Sequence, residues 1–140
     1  YVELGMEIWR KFQPEKYEIT IDGKTWENHA ALITVGNSSQ WGNGAKITPF
    51  ADSSDGVLDI TVVDMFTGIE MAYLLMTGRI DISHRIHCYK GKHIRISRKN
   101  EGPAHADGDW FEAGTEIDIS VIPGALRVLV PRSTGYERFI

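Results

Sequence analysis

Asp107-Gly108-Asp109, inside the stretch HADGDW, sets two carboxylates around one glycine. A carboxylate placed at such a bend can take part in proton transfer. Burial beside Trp110 and Phe111 would raise its pKa and suit it to that work. The same residues also spell a common two-residue hairpin turn, with Asp107-Gly108 in a type I′ bend. Taken alone, the stretch leaves both readings open. His105, two residues before the turn, reads as a structural hydrogen-bonder. Asp-Gly occurs twice more, at Asp22-Gly23 and Asp55-Gly56.

The second of these lies in DSSDGVLD, where Asp52, Asp55 and Asp59 cluster around Gly56. Hard cations such as Mg²⁺ and Ca²⁺ take carboxylate and carbonyl oxygens presented by tight turns. An Asx-type turn leading into a strand explains the same residues without a metal. The spacing is not that of an EF-hand. Just upstream, residues 37–56 form twenty residues rich in Gly, Ser, Asn and Asp, with little periodicity. Gly36, Gly42, Gly44 and Gly56 permit close backbone approach or positive φ. Asn37, Ser38, Ser39, Gln40 and Asn43 offer hydrogen bonds to a polar ligand such as a phosphate, or else line a surface connection. No Gly-Lys-Ser/Thr follows, so this is not a Walker-type loop. The five histidines show no zinc-ligand spacing with Cys88 or a carboxylate. No Gly-x-Ser-x-Gly elbow is present for a serine hydrolase.

These residues need a scaffold. The 140 residues, 42% hydrophobic and 24% charged, suffice for one domain with a core. A net charge of −4 argues against nucleic-acid binding by bulk electrostatics. A single cysteine, Cys88, fits a reducing compartment. No apolar run is long enough to span a bilayer as a helix. The chain opens mid-pattern on YVELGMEIWRKF without an initiator methionine and reads as one domain of something longer.

Val2, Met6, Trp9 and Phe12 predict an amphipathic helix over residues 1–12. KYEITID and ENHAALITVG read as two strands joined at Asp22-Gly23. VLDITVVD is a further strand. GIEMAYLLMTGRI reads as a helix with Ile69, Tyr73 and Met76 on one side and Gly78 as its stop. RIHCYKGKHIRISRK, TEIDISVIP and ALRVLVP are β-like. The pattern predicts a mainly β fold, an antiparallel β-sandwich or barrel with one or two short helices.

In combination, these stretches resemble the C-terminal domain of diacylglycerol-kinase-type lipid kinases, a family that includes bacterial lipid kinases and sphingosine kinases. The matching residues are Gly36-Asn37, the glycines Gly42 to Gly44, Pro49, Ala51 and Asp55-Gly56-Val57-Leu58-Asp59. Lys90 to Ile96 then match a Lys-Gly-Lys-x-Ile-x-Ile strand, and Asp107-Gly108-Asp109 stands where the family has Asp-Gly-Glu. The order and distances agree over nearly the whole chain.

The resemblance implies a β-sandwich forming the substrate side of a two-domain kinase that phosphorylates the hydroxyl of a diacylglycerol-like or sphingoid lipid. It implies that ATP is bound mainly by an N-terminal domain, whose Gly-Gly-Asp-Gly motif is absent from these 140 residues. It assigns the catalytic base to Asp109, and a substrate- or phosphate-proximal loop to Asn37, Gln40, Gly42 and Gly44. A structural Mg²⁺ would lie at Asp55, with main-chain carbonyls at about Asp52 and Val57. A cytoplasmic location, peripheral membrane contact and a homodimer belong to the same expectation. Two departures stand out. Asp109 is one methylene shorter than the family's Glu, and Asn43 interrupts what is often Gly-Gly-Gly. The competing readings are a non-catalytic β-sandwich module that binds a protein or lipid surface, and a small sugar- or nucleotide-binding β domain.

Overall fold

The computed structural model describes residues 14–42, 44–64, 68–79 and 83–128. The helix expected over residues 1–12 lies outside them. Nine strands are described: β1 (Glu15–Ile21), β2 (Lys24–Ala30), β3 (Leu32–Gly36), β4 (Leu58–Val63), β5 (Ile86–Gly91), β6 (His93–Arg98), β7 (Gly102–Ala106), β8 (Asp109–Ala113) and β9 (Glu116–Ser120). One helix, α1 (Gly68–Thr77), follows β4. Every pairing is antiparallel. One sheet runs β2-β1-β6-β9, a second runs β3-β4-β5, and β7-β8 stand as a two-stranded ribbon.

The alternation read from KYEITID and KHIRISR places Ile19, Ile21, Ile94 and Ile96 on one face of the four-stranded sheet. They pack with Leu58, Ile60 and Val62 of β4 in a single core, which makes the fold a sandwich of the two larger sheets. The Trp26 ring on β2 meets Tyr89 on β5, with centroids 4.8 Å apart, and bridges the sheets. Strand β4 is buried on both faces, because Asp59, Thr61 and Val63 are also shielded.

Two stretches expected as single strands change sheets instead. ENHAALITVG divides at Ala30 and Ala31, both buried. There the Ala31 N–H donates to the carbonyls of Val63 and Asp64, at 2.8 and 2.9 Å. RIHCYKGKHIRISRK divides at Gly91-Lys92, where a Cβ on Gly91 would collide with the Ile21 side chain. The described part of ALRVLVP, residues 125–128, forms no strand; Leu126 and Val128 are exposed. Helix α1 ends as expected at Gly78, with φ 68°. Its inward side differs from the expected stripe: Leu74 is buried, whereas Tyr73 and Met76 are exposed. Apolar residues nearly encircle this helix, so periodicity could not single out the face it buries.

Asp22 and Gly23 have φ of 48° and 83°, which makes the hairpin turn expected between β1 and β2 a type I′ turn. The turn also fastens the sheet crossing at residues 91–92. The Asp22 carboxylate accepts from the Lys92 N–H (3.1 Å) and the His93 N–H (2.9 Å), while its own N–H donates to the His93 carbonyl. The bonds from the His93 and Lys92 amides hold the Asp22 carboxyl below its ordinary pKa. A carboxylate whose pKa is lowered by folding stabilises above its unfolded pKa, and the contribution is lost as pH falls through the folded value. Asp22→Ala is therefore expected to unfold at lower urea than the parent near pH 7, with the gap narrowing as pH drops below the ordinary carboxylate range. A gap independent of pH would remove the carboxylate from the latch.

Candidate functional site

The site builds from the buried outer face of β4. Thr61 donates to the Ile47 carbonyl at 2.8 Å, and Thr48 donates to the Ser38 carbonyl at 2.7 Å. Ile47 and Thr48 are both buried. These contacts lay the glycine loop across the sheet. They also explain Gly36: a Cβ there would stand 2.8 Å from the Thr48 hydroxyl. Further out, the Trp41 N–H donates to the Ala45 carbonyl and the Ala45 N–H to the Gly42 carbonyl, closing a tight turn. Gly42 and Gly44 take φ of 137° and 78° there. Asn37, Gln40, Gly42 and Gly44, the expected ligand-facing residues, are all exposed; Asn43 lies outside the described residues.

The aspartate turn follows. Asp52 accepts from the Ser54 N–H and hydroxyl, and Asp55 accepts from the Val57 N–H at 3.0 Å. Both are the Asx-type turns that the sequence allowed. Beyond them lies a cation that the sequence reading did not single out. The Lys90 Nζ sits 3.1 Å from Asp55 Oδ2, from Asp59 Oδ2 and from the Phe50 carbonyl. The register explains the meeting, since Asp59 pairs with both Gly36 and Lys90 across β4. Asp59 Oδ2 is buried and, among the described residues, accepts no well-aligned hydrogen bond, so its link to Lys90 is an ion pair. Partial burial pulls the Lys90 ammonium's pKa down, the Asp59 and Asp55 carboxylates push it up, and the net shift is upward. Among the described residues no group of three or more His, Cys, Asp or Glu side chains gathers into a metal cage.

HADGDW forms a clean hairpin. Asp107 and Gly108 have φ of 50° and 96°, a type I′ turn, and Ala106 pairs with Asp109. GDWFEAG supplies β8. Asp109 is exposed, as are Trp110 and Phe111, so the apolar pocket considered for this carboxylate is not formed by the described residues. Arg98 clasps the root of the hairpin. Its guanidinium donates to the carbonyls of Gly102 and Ala113, at 2.7 Å each, and of Gly114 at 3.1 Å. Nearer the tip, the His105 ring meets Trp41 of the glycine loop, with centroids 5.5 Å apart and planes tilted by 37°. Two of the three expected sites thus share one end of the three-stranded sheet, and the hairpin joins them through Trp41. The signal for Trp41 and His105 was weak, because nothing in the sequence marks a ring contact across 64 residues.

Lys90→Met is expected to cost about 1–3 kcal/mol, because it leaves the Asp59 carboxylate buried without its counter-ion. Water around the half-exposed lysine holds the loss to the lower part of that range. Adding Asp59→Asn should recover part of it. Urea unfolding midpoints of the single and double variants check this, and a double variant no better than Lys90→Met would discount the ion pair.

Residues 1–130 match the family described as the YegS C-terminal NAD kinase beta sandwich-like domain. A diacylglycerol kinase of Mycobacterium tuberculosis is 30% identical over 94% of this chain, and a "Probable lipid kinase YegS" of Salmonella arizonae is 29% identical over the same share. In each case the chain spans 43% of the relative's length. A solved structure from Bacillus anthracis str. Sterne, titled "a putative diacylglycerol kinase", superposes over 89% of this chain and 44% of its own, with 26% identity and a TM-score of 0.66. The sandwich, the ordered motifs and these likenesses agree: the chain belongs to the YegS C-terminal NAD kinase beta sandwich-like family, as the C-terminal domain of a lipid-kinase-type protein.

Proposed function

We infer that this domain is the substrate side of an ATP-dependent lipid kinase, and that Asp109 is the base acting on the acceptor hydroxyl. The observation that carries this reading is the type I′ turn at Asp107-Gly108, which leaves the Asp109 carboxylate exposed at a hairpin tip tied to the glycine loop. In the step envisaged, the hydroxyl oxygen of a diacylglycerol-like or sphingoid alcohol bonds to the γ-phosphorus of ATP. The bond to the β,γ-bridging oxygen breaks, ADP leaves, and the hydroxyl proton passes to Asp109. ATP is held mainly by residues of the whole protein outside this domain, with Asn37, Gln40 and the glycines at 42 and 44 close to the phosphates. A lipid acceptor implies peripheral membrane contact; among the described residues no helix is long and apolar enough to cross a membrane.

The aspartate turn fits a magnesium ion. Its donors are hard oxygens: the Asp55 carboxylate and the main-chain carbonyls of Asp52 and Val57. The Asp52 carbonyl spends one lone pair on the Asp55 N–H and keeps another. Lys90 Nζ lies 3.1 Å from Asp55 Oδ2 and Asp59 Oδ2, so an ion at this turn would share those carboxylates with the ammonium. Bound magnesium would supply a rigid positive tie at the turn, and Lys90 would share the Asp55 carboxylate with it.

In the full-length protein, Asp109→Asn is expected to lower turnover of a lipid alcohol by about 10²–10⁴-fold, with nucleotide binding nearly unchanged. Asp109→Glu, which restores the family's longer side chain, should retain activity. Radiolabel transfer from ATP to dioleoylglycerol measures both. Full turnover in Asp109→Asn would hand the domain to the non-catalytic reading. The isolated 140-residue chain is expected to phosphorylate nothing, and measurable lipid phosphate from it alone would contradict the division of labour.

A further inference from the structure

Among the described residues, the hairpin that carries Asp109 is held only at its root and near its tip. It is a two-stranded ribbon that pairs with neither larger sheet, and most of its residues are exposed. Such ribbons are marginal by themselves. Its root is firm, because Arg98 bonds both members of the Gly102–Ala113 pair. From that pair to the Ala106–Asp109 pair the ribbon runs four residues, a lever of about 13 Å at roughly 3.3 Å per residue. A swing of about 5° at the root then moves the tip by about 1 Å, and a 1 Å misplacement of a catalytic group can cost about a hundredfold in rate. Root contacts alone do not supply that precision.

The second fixed point is near the tip. His105 pairs with Trp110, one rung from Asp109, and its ring meets Trp41. Trp41 is itself held by its N–H bond to Ala45, in a loop pinned to β4 through Thr48, Ile47 and Thr61. We propose that Trp41 and His105 are positioning residues for the phosphoryl transfer: their ring contact fixes the hairpin tip, and with it Asp109, against the glycine loop. This rests on the kinase reading and goes one step past it. Neither side chain touches the reacting atoms in this scheme; each acts by setting where Asp109 stands.

The test uses the full-length protein, dioleoylglycerol in mixed micelles and ATP. Trp41→Ala and His105→Ala should each lower kcat by roughly 10–100-fold, with KM for ATP unchanged. The double variant should be no worse than either single one, since both remove the same contact. Trp41→Phe and His105→Phe keep two facing rings and should stay near wild type. Amide hydrogen exchange over residues 102–113 should quicken in the alanine variants, while β1 and β6 exchange as before. Additive losses overturn the proposal. So does unchanged kcat in an active protein, or a fall in kcat with no change in hairpin exchange. Absence of lipid phosphorylation in the wild type instead marks failure of the kinase reading itself, and the positioning role falls with it.

Discussion

The placement of the glycine loop and the aspartate turn depends on strand β4 being covered on both faces. The inner face is an ordinary sandwich core. The outer face presents Asp59, Thr61 and Val63, and a long loop lies over it. Hydrophobic burial does not order that loop by itself. Burying the Ile47 side chain contributes about 1.5–3 kcal/mol, whereas ordering each loop residue costs about 1–2 kcal/mol. Bonds spread along the segment add to it and fix the path of the chain: Thr48 to Ser38, Thr61 to Ile47, Lys90 to Phe50, and the two aspartate turns. A loop held in this way keeps its backbone in place while its polar side chains face outward.

Charge follows from the same register. Because Gly36, Asp59 and Lys90 lie side by side across three strands, the end of β3, the aspartate turn and a lysine ammonium meet at one edge. A nearly buried carboxylate beside an exposed one would repel without a cation. Lys90 is that cation within the chain, and its raised pKa records the two carboxylates outweighing its partial burial. The turn is therefore fastened to β5 as well as to β4.

Local chemistry was legible where it is decided locally. The alternating isoleucines of β1 and β6, the type I′ turns at Asp22-Gly23 and Asp107-Gly108, and the glycine stop of α1 all follow from a few adjacent residues. The sheet changes at Ala30-Ala31 and Gly91-Lys92 were not legible, because a strand that crosses between sheets keeps its β-like composition throughout. The inward face of α1 was hidden by a surplus of apolar residues. Of the candidate site, the motif residues could be named in advance. Lys90, Arg98, Trp41 and His105 could not be given their roles, because each depends on a partner brought near by sheet register or loop path.

The three Asp-Gly pairs show what separates a turn from a site. Two of them, Asp22-Gly23 and Asp107-Gly108, adopt the same type I′ geometry, so backbone conformation does not distinguish them. What each neighbouring carboxylate meets does. The Asp22 carboxylate is saturated by the amides of Lys92 and His93 and is committed to holding the fold. The Asp55 carboxylate is divided between the Val57 amide and the Lys90 ammonium. The carboxylate of Asp109, one residue past its turn, has no hydrogen bond or ion pair among the described residues. An exposed carboxylate on a braced hairpin contributes little to stability, yet the fold commits Arg98 and a Trp-His contact to holding that hairpin. Precision at a carboxylate with no structural partner is what the role proposed for Asp109 as a base requires.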